Sequence, residues 1–343
     1  MKRRHFLFII ILLSAFALTF FKIPLASSQG LSVVAGWVEG DLPVEDPAAA
    51  QWQSATAVEV PLSAQNITKP FLLDTKIKSV SARVLQNDSQ IAILVEWADD
   101  TQDDSTVAIQ DFRDGTALQF PQVQGQPYFC MGQQGGNVNL WHWKADWQAE
   151  IAARKEMESQ YPDMYVDYYP YTETEEDTLA GVADYTDQNY LPALQAGNQF
   201  AALTHSSPVE DLIAGGFGTL TSQPVAQQNV QGFGAWKDGR WQVIFSRDLA
   251  SSETDDVSFL PGKTYSVAFA VWDGANEERN GQKSTSQWVS LQLLSAAAPA
   301  EQAEPEAVEP ESLLTTQNIT LLMFGVLIVL IIIGGFIYSR LPE

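Results

Sequence analysis

The residue whose chemistry stands out first is Met131. It lies in Pro127–Lys144, PYFCMGQQGGNVNLWHWK, an eighteen-residue stretch that also carries glycines at 132, 135 and 136 and a Trp-His-Trp run. Proline in front and glycines behind place the methionine on a loop. Two readings stand side by side there. Methionine fills irregular gaps in apolar cores, and its soft thioether is also an axial ligand for haem iron. Two histidines, His142 and His205, remain beyond the first 28 residues. In a strand, His142 would face away from Trp141 and Trp143, which reads as a satisfied core or supporting residue more readily than a ligand. His205, beside Ser206-Ser207-Pro208, reads as a loop residue. Neither sits in a nucleophile motif such as G-x-S-x-G, and no carboxylate pair for glycoside hydrolysis can be picked out of so acidic a chain. Cys130 is the single cysteine, which rules out an internal disulfide, a C-x-x-C-H haem attachment site and a cluster held by four cysteines.

Strands must position these groups. Ser79–Leu85, Ile91–Trp97, Trp241–Arg247, Tyr265–Trp272 and Trp288–Leu294 are short runs rich in β-branched and aromatic residues, bounded by turn residues. Asn87-Asp88-Ser89 predicts a hairpin between the first two, and Asp238-Gly239 predicts another before Trp241. Without regular alternation of strand and helix, the pattern points to an all-β sandwich. Trp147–Gln160 is rich in helix formers and leads into Tyr161–Tyr190, crowded with tyrosines and acids, so an insertion at about 147–200 is expected to carry one helix and a surface excursion. The acid run Glu173–Asp177 lacks the spaced ligands and glycine of a calcium loop and reads as a solvated face.

Charge and the chain ends bear on partners and compartment. The 343 residues carry a formal charge of −23, which excludes a general nucleic-acid binder and suits basic protein partners. Residues 1–28 combine Lys2, Arg3 and Arg4 with the apolar run Phe6–Phe21 and a small-residue site at Ala26-Ser27-Ser28, the pattern of a signal peptide. An uncleaved anchor is the other reading of that segment. Ile319–Tyr338 is twenty residues without a charge, long enough to span a bilayer as a helix. Residues 296–316 form a Pro/Ala/Glu-rich linker ahead of it. The expectation is therefore a domain at 29–295 outside the cytoplasmic membrane, or in the periplasm, with a single span and a cytoplasmic C-terminus.

A resemblance covers most of the body. The segments GDLPVEDPAAAQWQSATAVEVPLSAQNITKP, IAILVEWADDTQDD, DGTALQFP, MGQQGGNVNLWHWKADW, GFGAWKDGRWQVIFSRDL and VAFAVWDGANEERNGQKSTSQW resemble the haem b-binding γ subunits of type II DMSO-reductase-family molybdoenzymes. That group includes the haem subunits of ethylbenzene dehydrogenase, dimethyl sulfide dehydrogenase, and selenate and chlorate reductases. The resemblance runs from about Gly36 to Leu294, interrupted by the insertion. It implies a β-sandwich holding one non-covalent haem b between an axial methionine and an axial lysine. Met131 matches the first position. Lys283, which composition alone reads as an exposed loop lysine, matches the second, with Lys237 as its rival. The implied role is electron transfer without catalysis, between an iron–sulfur subunit beside a molybdopterin catalytic subunit and a cytochrome c or quinone-linked carrier. The alternative from another class is a stalked carbohydrate- or ligand-binding β-sandwich, its tryptophans serving as stacking platforms.

Overall fold

The computed structural model describes residues 30–123, 131–155, 157–164, 192–202 and 205–295. The expected signal peptide, linker and membrane span lie outside the described residues, as do Cys130 and most of the insertion. Among the described residues no helix is long and apolar enough to cross a membrane.

In chain order the strands are β1 (Ser32–Val34), β2 (Gly36–Trp37), β3 (Val58–Pro61), β4 (Ser63–Ala64), β5 (Ser79–Gln86), β6 (Gln90–Ala98), β7 (Gly115–Pro121), β8 (Val138–Lys144), β9 (Val209–Ala214), β10 (Thr221–Ser222), β11 (Gln231–Trp236), β12 (Arg240–Asp248), β13 (Thr264–Trp272), β14 (Ser284–Thr285) and β15 (Val289–Gln292). A six-stranded sheet runs β11-β12-β6-β5-β2, with β3 on β5. A nine-stranded sheet runs β1-β15-β13-β7-β8-β9-β10, with β14 on β13 and β4 on β14. Both expected hairpins form. In the β11–β12 turn Asp238 and Gly239 have φ of 52° and 73°, the pair of positive values that a two-residue turn matched to strand twist requires, and Trp236 pairs with Trp241 across it.

The sheets pack face to face through alternate side chains. Ile91, Ile93, Val95 and Trp97 of β6 meet Leu118, Phe120, Trp141 and Trp143 from β7 and β8 in one buried cluster. At its centre Trp143 lies 4.9 Å from Trp241 and 6.4 Å from Trp97, both edge-on. The opposite face of β6 is also buried: Ala92 and Leu94 pack with Trp52, Leu42 and Val38, which explains why this strand reads as an unbroken apolar run rather than an alternation.

The helix expected over Trp147–Gln160 is shorter and broken. Its first part, α1, spans Ala145–Ala152, and a single turn, α2, spans Met157–Gln160. Between them Lys155 reaches back to Asp104 at 2.7 Å and Arg154 donates to the Ala202 carbonyl. These tertiary contacts pull the chain out of helical register where propensity alone would continue it. A third short helix, α3, spans Pro192–Gln195.

Candidate functional site

The interior face of the nine-stranded sheet builds the core, and its outer face floors a cleft of about 1090 Å³. That volume is at the large end for small-molecule and cofactor sites. The floor follows from strand register. One cross-strand row reads Ala268, Gln119, Leu140, Leu212; the next reads Ala270, Ala117, His142, Glu210; the third begins Trp272, Gly115, Lys144. Small residues on β13 and β7 leave a flat platform, bordered by larger side chains on β8 and β9. Gly115 has a specific reason to be glycine. A Cβ there would lie 3.3 Å from His142 Nε2 and 3.7 Å from Trp272, and those two rings stack across it with centroids 4.5 Å apart.

Met131 and Lys283 both line this cleft. Met131 is half-buried and packs with Trp288 against Val138, Leu140, Leu212 and Ala214. Its carbonyl accepts from Gly216 N at 2.8 Å. The glycine that follows it in the sequence is fixed by geometry: Gly132 has φ of 75°, and a Cβ on it would lie 2.8 Å from the carbonyl oxygens of Ala214 and Gly136.

Lys283 immediately precedes β14. Its carbonyl accepts from Gln65 N at 2.9 Å, while the buried Gln65 side chain donates to Gly281 O at 2.7 Å and Thr68 O at 3.0 Å. One glutamine thus ties the loop after β4 to the segment that presents the lysine. The Lys283 ammonium position lies 4.8 Å from the Trp272 ring centroid, so the side chain runs over the platform rather than into solvent as composition suggests. Lys237 is elsewhere. It is exposed in the β11–β12 turn of the other sheet, and it does not line the cleft.

Three lining residues drew no metal or charge role from the sequence. Lys144 and Glu210 are both buried and form an ion pair of 2.5 Å in the floor, and Ser222 Oγ donates to the same carboxylate. Burial lowers the Lys144 pKa to about 8, with Glu210 opposing the shift. Arg113, at the cleft edge, pairs with Asp146 at 2.7 Å. His142 points into the cleft, opposite the two core tryptophans as the alternation requires. Burial, then Lys144, Arg113 and Lys283, hold it well below the ordinary histidine pKa, so it is a neutral ring at physiological pH. His205 is loop-borne as expected, but its ring is covered: it stacks on Trp147 at 3.8 Å, and burial pushes its pKa down to about 4. The only hint of these roles in the sequence was the phase of β8, in which Lys144 shares a face with His142.

A family model described as ethylbenzene dehydrogenase matches residues 49–284 of this chain. The chain belongs to the ethylbenzene dehydrogenase family. The matched residues include all four floor strands and the lysine before β14. Among curated relatives, a protein named as a respiratory nitrate reductase haem subunit, ORF7, of Haloferax mediterranei is 28% identical over 274 residues, covering 77% of each chain. The chlorate reductase γ subunit of Ideonella dechloratans is 24% identical over 252 residues, 72% of this chain and 79% of that one. The dimethylsulfide dehydrogenase γ subunit of Rhodovulum sulfidophilum is 29% identical over 215 residues, 61% of this chain and 58% of its own length.

Proposed function

We infer that this chain is a haem b electron-transfer subunit of a multi-subunit molybdenum oxidoreductase, with Met131 and Lys283 as the axial ligands of the iron. The observation that carries the reading is that these two residues, 152 positions apart in the sequence, line one cleft above a flat platform of small side chains. The donor set fits the group. The Met131 thioether is a donor that haem iron accepts, a neutral lysine amine offers a nitrogen lone pair, and the Ala268, Ala270, Ala117 and Gly115 surface is flat enough for a planar macrocycle. Family membership and the names of the relatives, a haem subunit and two γ subunits, support the haem-subunit part of this reading.

Bound haem supplies a one-electron couple. The chain's own residues do the rest. A lysine binds iron only as the neutral amine, so ligation would require Lys283 to release its proton to solvent as the iron takes its place. With both Met131 and Lys283 donating to it, the iron would keep no position for substrate, which suits electron transfer rather than catalysis. The reading extends to an iron–sulfur subunit and a molybdopterin subunit as partners, and to a cytochrome c or quinone-linked carrier. It also places the body outside the cytoplasmic membrane, with Ile319–Tyr338 as its anchor.

The test is the visible spectrum of the purified chain loaded with haem b. A six-coordinate low-spin spectrum is expected, shifted in both Met131→Ala and Lys283→Ala and unchanged in Lys237→Ala. Failure of the chain to take up haem would overturn the reading in favour of a ligand-binding sandwich.

A further inference from the structure

The cleft floor contains a charge pair that axial ligation does not use. Lys144 and Glu210 side chains are 1% and 3% exposed and lie 2.5 Å apart. The ammonium is also 3.7 Å from the Trp147 ring centroid and 5.0 Å from that of Phe200. Removing two ions from water is costly, and a buried ion pair is weak evidence of a stabilising role. Its presence in the floor therefore calls for a role other than stability.

The groups facing Lys144 narrow that role. Arg113, from the loop before β7, and Asp146, on α1, neutralise each other. His142 on the same strand is held neutral by burial, and so is His205 ahead of β9. Glu210 comes from the neighbouring strand, and its hydrogen bond from half-buried Ser222 on β10 connects the pair toward the surface. Lys144 is thus the group in this cluster poised to exchange a proton near neutral to mildly alkaline pH.

We propose that Lys144 and Glu210 form a redox-linked proton site, in which reduction of haem in the cleft is accompanied by proton uptake at the Lys144 amine. This rests on the haem reading above. The balance is simple: the iron gains one electron, the amine gains one proton to become ammonium, and solvent water supplies that proton. An added electron beside a buried amine raises the proton affinity of that amine. The coupling is reciprocal, so the protonated amine in turn favours the reduced haem.

The experiment is a spectroelectrochemical titration of the haem-loaded chain from pH 6.5 to 9.5, with the low-spin spectrum recorded at every point. The wild-type midpoint potential is expected to fall as pH rises. A tenfold difference in Lys144 proton affinity between oxidised and reduced states corresponds to a total shift of about 59 mV. Lys144→Met should be flat, and Lys144→Arg, which keeps its proton throughout, should be flat as well. Glu210→Gln removes the anion that opposes the burial shift and should move the inflection to lower pH. A low-spin haem whose wild-type potential ignores pH, or a Lys144→Arg chain that keeps the wild-type dependence, overturns the proposal and leaves the haem reading standing. A chain that takes up no haem overturns both. If Lys144→Met does not fold, the arginine and glutamine variants decide the matter.

Discussion

Asp211 offers a sharp test of the buried electrostatics on the interior face of the floor strands. It lies on β9, is 0% exposed, and accepts hydrogen bonds from Asn139 Nδ2 at 2.6 Å and Gln223 Nε2 at 3.0 Å on one oxygen. Burial, reinforced by the neighbouring Asp256 carboxylate, raises its pKa to about 8. Burial also pushes Asp256 upward, but hydrogen bonds from Ser251, Asn229 and Gln223 and the Arg247 guanidinium outweigh it, so Asp256 stays charged and the proton resides on Asp211. The sign of the effect on stability follows. Above the ordinary carboxylate pKa the folded chain still binds this proton while the unfolded chain has released it, so stability falls as pH rises toward about 8 and is flat above it. Between pH 6 and 9 the group loses its proton about two units above the starting pH, which at about 1.4 kcal/mol per unit is a loss of about 3 kcal/mol. Asp211→Asn keeps the accepting oxygen and replaces the protonated one with an amide NH2, which imitates the neutral acid at every pH. The gap in stability between this variant and wild type should therefore widen in the variant's favour by about 3 kcal/mol from pH 6 to 9. For a body of this size that is about 6–12 °C in Tm. Urea unfolding at the two pH values measures it, and a gap that stays constant would refute the assignment of the proton.

Two other perturbations probe packing. A Cβ at Gly234 would lie 2.2 Å from Trp143 Cζ2, and that ring is wedged between Trp97 and Trp241, so Gly234→Ala should cost about 1–3 kcal/mol by overpacking, read as a lower urea midpoint. Lys144→Met alone strands the Glu210 carboxylate in the floor and should cost about 3–5 kcal/mol, whereas Lys144→Met combined with Glu210→Leu should recover most of it; a double-mutant cycle by denaturation checks both.

Much of the framework was legible because local chemistry and tertiary structure agree. Asp238-Gly239 has the residues its positive φ values demand, and the Trp141-His142-Trp143 alternation correctly assigns two rings to the core and one to the other face. Met131-Gly132 was legible as a motif, but the reason for its glycine, the close approach of two carbonyl oxygens, exists only after β9 is in place. The broken helix was not legible, since Lys155 leaves helical register for a carboxylate 51 residues away. Nor was the burial of Lys144. Lysines are nearly always exposed, and nothing local shows that Glu210 and Trp147 will enclose this one. The separation of Lys237 from Lys283 was likewise a matter of which sheet each loop belongs to, which neither segment encodes alone.

The cleft lies outside the sandwich, and the tryptophan-rich core between the sheets is assembled from this chain's own side chains. The fold therefore does not need an occupant of the cleft to complete its hydrophobic core. If the cleft holds haem as proposed, the body could be completed first and equipped afterwards, and the cofactor would be an exchangeable component. A zinc porphyrin or an altered macrocycle could be installed on the same platform while the hydrophobic interior that sustains the fold stays as it was.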